Sequence, residues 1–118
     1  MKTRNNIFVL FIIICITIIY FGCTDAVNTG KNITRAEIYP NPTLGNANLN
    51  VFFKNIMPVT INIVDTYGRE VMNIVSNQDI NATNYIFPLR MNNLPSGNYC
   101  CIINCGGEIT IVRFTIYK

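Results

Sequence analysis

The residue types that could perform chemistry are few in this chain, and their spacing does not assemble a catalytic site. The 118-residue sequence contains no histidine, the side chain that most often acts as a general base near neutral pH. Its serines, Ser76 and Ser96, stand in turn-like stretches with no Lys or Asp spaced to activate them. These features predict that the chain is not an enzyme and carries no cofactor.

Acidic side chains are the remaining candidates for acid–base chemistry. Those of the chain body are spread along its length: Glu37, Asp65, Glu70, Asp79 and Glu108. We interpret Asp65 as a turn-former and Glu70, which follows Arg69, as the solvated start of a strand. Gly106-Gly107 predicts a hairpin turn, because no helix follows it to complete a phosphate cradle. The pattern predicts no small-molecule substrate.

The five cysteines do not form a disulfide framework. Three of them, Cys100, Cys101 and Cys105, fall in the folded part. Because side chains alternate along a strand, Cys101 and Cys105 share one face and Cys100 points to the other. A zinc site normally needs four Cys or His ligands, so we predict no metal. Packing in the core is the favoured interpretation, and a disulfide is the alternative.

The first 22 residues predict a secretory signal peptide. Lys2 and Arg4 precede an apolar run from Ile7 to Phe21, which is the layout of an export signal. A membrane-spanning helix needs about 20 apolar residues, so an uncleaved anchor is the less favoured interpretation. The protein is therefore expected to be exported to the periplasm, the outer membrane or the cell surface.

A cysteine follows closely after this run, as in bacterial lipoproteins. Cys23 is accordingly predicted to carry a lipid, and the alternative is ordinary cleavage after Ala26. Residues 23–37 are short, polar and weakly patterned, which predicts a tether to the folded part. Once Lys2 and Arg4 are removed, the chain has seven basic and six acidic residues. Because this net charge is close to zero, the sequence does not predict nucleic-acid binding.

From residue 38 onward, alternating apolar residues and regularly spaced turn residues predict a sandwich or barrel. Four segments place apolar side chains at every second position and therefore predict half-buried antiparallel strands. Their inward sets are Leu49, Val51 and Phe53; Ile61 and Ile63; Tyr85, Phe87 and Leu89; and Tyr99, Cys101 and Ile103. In the last segment the pattern changes phase between Ile111 and Phe114, which predicts either a bulge near Val112 or burial on both faces.

The turns are specified by their residue types. The segment Tyr39–Thr43 contains two prolines, which exclude a helix and favour extended chain before each ring. Asp65 and Gly68 predict a tight hairpin, because Asp bonds the turn backbone and Gly accepts a positive φ. Leu94–Gly97 has Pro and Gly where a type I turn prefers them.

Four motifs built around these turns occur in order along the chain. They are Ile38-Tyr39-Pro40-Asn41-Pro42-Thr43-x-Gly45, Ile63-Val64-Asp65-x-x-Gly68-Arg69-Glu70-Val71, Leu94-x-x-Gly97-x-Tyr99-x-x-x-Ile103 and Val112-Arg113-Phe114-x-Ile116-x-Lys118. Together they resemble the C-terminal sorting domain of the type IX (Por) secretion system of Bacteroidetes, over residues 38–118. The signature positions carried over from that family are Pro40, Asn41, Pro42, Gly45, Asp65, Gly68, Arg69, Leu94, Gly97, Tyr99 and Lys118.

The resemblance implies both a fold and a role. The fold is an all-β, immunoglobulin-like antiparallel sandwich of about seven strands, preceded here by the N-terminal signal helix. The role is that of a non-enzymatic secretion address, which the outer-membrane translocon recognises and a sortase-like peptidase then usually removes. Contact with a membrane is expected through the signal or the lipid anchor.

The family's domain normally follows a large cargo, whereas the stretch from Cys23 to Glu37 is too short to be one. The chain is then either a stand-alone relative with another purpose or the remnant of a longer gene. The alternative function is a small surface lipoprotein whose sandwich binds a protein or a glycan, for instance at an exposed edge of the last strand.

Overall fold

The computed structural model describes residues 32–118, which form seven β-strands. The strands are β1 (Ile33–Tyr39), β2 (Asn46–Phe53), β3 (Pro58–Val64), β4 (Glu70–Asp79), β5 (Asn84–Arg90), β6 (Gly97–Cys105) and β7 (Glu108–Ile116). In this part of the chain no helix is long and apolar enough to cross a membrane. The predicted signal helix, the lipid site at Cys23 and the cleavage site after Ala26 lie outside the described residues.

The strands form two antiparallel sheets. One sheet has the order β1-β2-β5, and the other has the order β4-β3-β6-β7. This is the arrangement of an immunoglobulin-like sandwich in which the fourth strand joins the sheet that holds the last two strands. The predicted all-β sandwich of about seven strands is confirmed. Its first strand begins at Ile33, which is 1% exposed, five residues before the expected boundary at residue 38.

The core lies between the sheets and is filled by side chains at alternate positions. Leu49 and Val51 of β2 and Ile61 and Ile63 of β3 are fully buried, as the alternation predicts. Burying an aliphatic side chain of this size stabilises the fold by about 1.5–3 kcal/mol. Tyr85, at the beginning of β5, is the exception among the predicted inward residues, since 39% of its surface is exposed.

Both predictions for the last strand are wrong. β7 pairs with β6 in an unbroken register from Cys105↔Glu108 to Gly97↔Ile116, so there is no bulge. Ile109 and Ile111 are about half exposed, so the strand is not buried on both faces. They lie on the outer face of the sheet, where Ile111 stands directly opposite Ile102 of β6. A cross-strand apolar pair of this kind stabilises a sheet without facing its core.

The β6–β7 turn lies where it was predicted, whereas the β5–β6 turn does not. Gly106 and Gly107 close the two-residue β6–β7 hairpin with φ of +61° and +87°, as predicted from their glycines. In the β5–β6 connection, the backbone hydrogen bond runs from Leu94 N to Met91 O at 3.0 Å. The hydrogen-bonded turn is therefore Met91–Leu94, three residues before the expected one at Leu94–Gly97.

The cysteines of β6 are free thiols. Cys101 and Cys105 are fully buried on the inward face, which confirms the prediction that they pack in the core. Burial, with a smaller contribution from the neighbouring Cys100, raises the pKa of the Cys101 thiol to about 12. Cys100 is half-buried on the outer face, opposite Arg113. Within residues 32–118, no group of Cys, Asp or Glu is arranged to hold a metal ion.

Candidate recognition site

All the signature positions lie at one end of the sandwich, because the strands alternate in direction. The β1–β2, β3–β4 and β5–β6 connections emerge at the end where β7 finishes. We call this the signature end. It contains every predicted sorting position: Pro40, Asn41, Pro42, Gly45, Asp65, Gly68, Arg69, Leu94, Gly97, Tyr99 and Lys118. Residues that span most of the folded chain are thus brought together by sheet topology.

The β1–β2 connection is bonded to the last strand. The Asn41 amide donates to Arg113 O at 3.2 Å, and its carbonyl oxygen accepts from Thr115 N at 3.1 Å. Pro40 and Pro42, on either side of Asn41, both follow cis peptide bonds. The Asn41 side chain therefore takes the place of a neighbouring strand along the final residues of β7.

Thr43 completes this junction, although it is not among the signature positions. Its backbone makes a parallel bridge with β7, through Thr43 N to Thr115 O and Tyr117 N to Thr43 O, both at 2.9 Å. Its hydroxyl donates to Asn46 O at 2.7 Å and accepts from Gly45 N at 3.1 Å. The available signal was a Thr two residues before a glycine, a spacing at which the hydroxyl can close a local turn.

The β3–β4 turn is organised by one carboxylate. Asp65 accepts hydrogen bonds from Tyr67 N at 2.9 Å and from Arg69 N at 3.0 Å, and its other oxygen lies 2.8 Å from Arg69 Nε. Partial burial acts to raise the pKa of Asp65, but the hydrogen bonds and the charge of Arg69 hold it below its ordinary value. Gly68 has a φ of +78°, which favours glycine. The predicted tight hairpin is confirmed.

The β5–β6 connection is held by Tyr99 and by the end of the chain. The Tyr99 hydroxyl donates to Pro95 O at 2.7 Å, and its ring stacks on Phe114 with 5.8 Å between centroids. Lys118 N donates to Ser96 Oγ at 2.9 Å, and Lys118 Nζ donates to Asn92 O. Tyr99 is 6% exposed, so its contribution is to packing and to the loop rather than to a surface contact.

The polar side chains of the signature end are used mainly in hydrogen bonds that hold its turns. The Asp65 carboxylate is occupied by Arg69 and two backbone amides. Glu70 begins β4 after the same turn and is exposed. Glu37 pairs with Arg35 at 2.7 Å, and Glu108 accepts from Asn32 N at the opposite end. Two open grooves flank the Asp65–Thr66 turn, but they bring no second carboxylate beside Asp65. The polar side chains of this turn are thus engaged in holding its shape.

The family model described as the secretion system C-terminal sorting domain matches residues 37–117. The chain belongs to this family. The matched region contains all four motifs except the terminal Lys118. A sorting domain of this family directs type IX secretion to the cell surface or the medium, and it interacts with the secretion machinery. No curated protein matches the chain.

Proposed function

We propose that this sorting domain is a non-enzymatic address that the outer-membrane translocon reads at the signature end. The observation that carries the proposal is the convergence of eleven signature residues, from four separate stretches of chain, on one end of the sandwich. Most of them fix turns and strand ends, so the signature end holds a defined shape. A rigid surface loses little conformational entropy when a partner binds it.

The position of the chain entry supports this proposal. Asn32 lies at the opposite end of the sandwich, where its side chain donates to Cys105 O at 3.0 Å and its backbone N to Glu108. Whatever precedes residue 32 therefore joins the domain far from the signature end. A protein attached there would leave the recognised surface open to the translocon.

We further propose that the steps flanking recognition act on residues that precede β1. A sortase-like peptidase would cut in this stretch, because β1 itself is paired with β2 from Ile33 onward. Lipid attachment at Cys23 is tested by mass spectrometry of the mature N-terminus. A mass increase that fits acyl chains on Cys23 supports it, whereas an unmodified N-terminus, for instance after cleavage at Ala26, rejects it.

The proposed function is tested with a reporter inserted into the full chain between Thr29 and Gly30. The host carries type IX machinery, and a strain without the translocon is the control. We expect surface delivery in the first strain and periplasmic retention in the second. Equal delivery in both strains, or retention in both, would contradict recognition by the translocon. Deletion of the last strand is a poor substitute, since Phe114 and Ile116 are core residues.

A further inference from the structure

The most exposed large apolar side chains of the described residues all lie at the signature end. They are Tyr67 (83% exposed), Leu44 (77%), Tyr39 (75%) and Tyr117 (72%). We call these four residues the apolar rim. Six other large apolar residues are exposed, but none exceeds 62%. Concentrated apolar exposure beside ordered polar groups is typical of an interaction surface.

The rim residues lie between or beside the signature positions. Leu44 stands between Thr43 and Gly45, Tyr67 stands between Asp65 and Gly68, and Tyr117 directly precedes Lys118. The motifs leave these three positions unspecified, whereas Tyr39 is part of the first motif. Their backbones are nevertheless ordered by the signature residues on either side.

Two contacts show how this ordering reaches the rim. Tyr67 N is bonded to the Asp65 carboxylate, and the Arg69 guanidinium lies 5.2 Å from the centroid of the Tyr67 ring. Tyr117 N is bonded to Thr43 O at 2.9 Å. The exposed rings therefore project from backbone that is already bonded, which lowers the entropy cost of using them as binding anchors.

Basic residues outnumber acidic residues around the rim. The strand ends and turns of the signature end carry four basic residues, Arg69, Arg90, Arg113 and Lys118. They carry two acidic residues, Asp65 and Glu70, and Asp65 is already paired with Arg69. The remaining described residues have an acidic excess of one. A partner surface that is complementary to the rim therefore has acidic groups around an apolar centre.

We propose that the apolar rim is the surface that contacts the secretion machinery, and that it binds an acidic, apolar patch of a translocon protein. This proposal rests on the proposed function and adds the contacting residues and the chemistry of the partner. Tyrosine and arginine are the residue types that most often carry binding energy at protein interfaces.

Aromatic and basic side chains can also bind a lipid surface. The small excess of basic residues at the signature end disfavours that alternative. Binding to anionic lipid typically uses clusters of four to eight basic residues, at about 1 kcal/mol each. The signature end has an excess of only two. The four rim residues also surround bonded turns rather than lying along one amphipathic helix. We therefore assign the rim to a protein partner.

Matched variants of the full chain, with the reporter between Thr29 and Gly30, test the proposal. The rim variant carries Tyr39→Thr, Leu44→Thr, Tyr67→Thr and Tyr117→Thr. The control variant carries Ile56→Thr, Ile86→Thr, Ile109→Thr and Ile111→Thr, which removes the same number of exposed apolar side chains outside the signature end. Thermal melts establish that both variants fold.

We expect surface delivery of the folded rim variant to fall about tenfold or more, the effect of one lost interface anchor. The control variant should stay within about twofold of the unmodified chain. Normal delivery of the rim variant, or an equal loss in the control, would overturn the assignment of the rim. If the unmodified chain itself is not delivered through the translocon, the proposed function fails and the assignment of the rim fails with it.

Cross-linking identifies the partner's chemistry. A photo-reactive amino acid replaces Leu44 or Tyr67 in the full chain, and Ile109 in the control. The expected product joins the rim to a translocon protein, at a segment with more acidic than basic residues, and is missing from the Ile109 control. Cross-links to lipid or lipopolysaccharide alone, or to a basic segment, would reject an acidic protein partner.

Discussion

The hydroxyl of Tyr99 donates a 2.7 Å hydrogen bond to the backbone carbonyl of Pro95, four residues earlier in the chain. This bond ties the beginning of β6 to the loop that precedes it, in the manner of the tyrosine corner of immunoglobulin-like sandwiches. One residue of the third motif thereby links a core ring to an exposed loop. The same residue serves the stability of the sandwich and the shape of the signature end.

Tyr99→Phe keeps the ring and removes the hydrogen bond. We expect the free energy of unfolding to fall by about 1 kcal/mol, the usual net value of one hydrogen bond. For a domain of this size, that loss corresponds to a decrease in Tm of about 4–8 °C. Tyr85→Phe, which removes a hydroxyl from a partly exposed ring, is the control. Equal melting temperatures for Tyr99→Phe and the unmodified protein would contradict this account.

Two signature glycines are expected to respond differently to alanine. Gly45 has a φ of +136°, and a Cβ there would lie 2.6 Å from Asn92 Oδ1. Gly45→Ala should therefore destabilise the fold by more than about 1 kcal/mol. A Cβ at Gly97 would meet the Tyr99 ring at 3.7 Å, an ordinary contact, so Gly97→Ala should change stability by about 0.5 kcal/mol or less. Urea unfolding of both variants decides the matter, and similar midpoints would refute the distinction.

Acid should weaken the β3–β4 turn through Asp65. Its folded-state pKa lies below the ordinary value of 3.8, so ionised Asp65 stabilises the fold above that value. This contribution is lost as the pH falls through the lowered pKa of the folded state. Asp65→Asn should therefore be less stable than the unmodified protein at neutral pH, and the difference should shrink below about pH 4.

Urea midpoints measured from pH 7 to pH 2 provide the test for Asp65. Asp79→Asn, at an exposed acidic residue that ends β4, is the matched control and should show a smaller effect at neutral pH. A difference between Asp65→Asn and the unmodified protein that stays constant across this range would exclude a role for the charge.

The adjacent thiols of β6 should differ in reactivity. Cys101 is fully buried, and its pKa of about 12 leaves little thiolate at pH 8. Cys100 is half-buried on the outer face. Brief alkylation of the folded protein at pH 8 should label Cys100 well before Cys101, and mass spectrometry of the peptides distinguishes them after cleavage between the two positions or by fragmentation. Equal labelling in the folded state would show that β6 opens readily.

Local sequence was sufficient to predict the strands that are β2, β3, β5 and β6 and the turns at Asp65–Gly68 and Gly106–Gly107. In contrast, β1 begins within the stretch assigned to the tether, and β4 was not outlined beyond its start. The alternation around Leu49 and Val51 has a period of two, which is a property of extended chain and needs no knowledge of neighbours. Asp65 and Gly68 specify their turn through bonds and a φ value that lie within five residues. The order of the four motifs was sufficient for the family.

Tertiary structure decided which faces and which loops meet, because those relationships depend on residues far apart in sequence. Ile111 is placed outside by its pairing with Ile102, although its own apolar character favoured burial. The structural role of Thr43 depends on its bridge to β7, which lies more than 70 positions later in the sequence. The signature end exists because antiparallel pairing returns the chain repeatedly to the same side, and no local pattern records which loops will share that side.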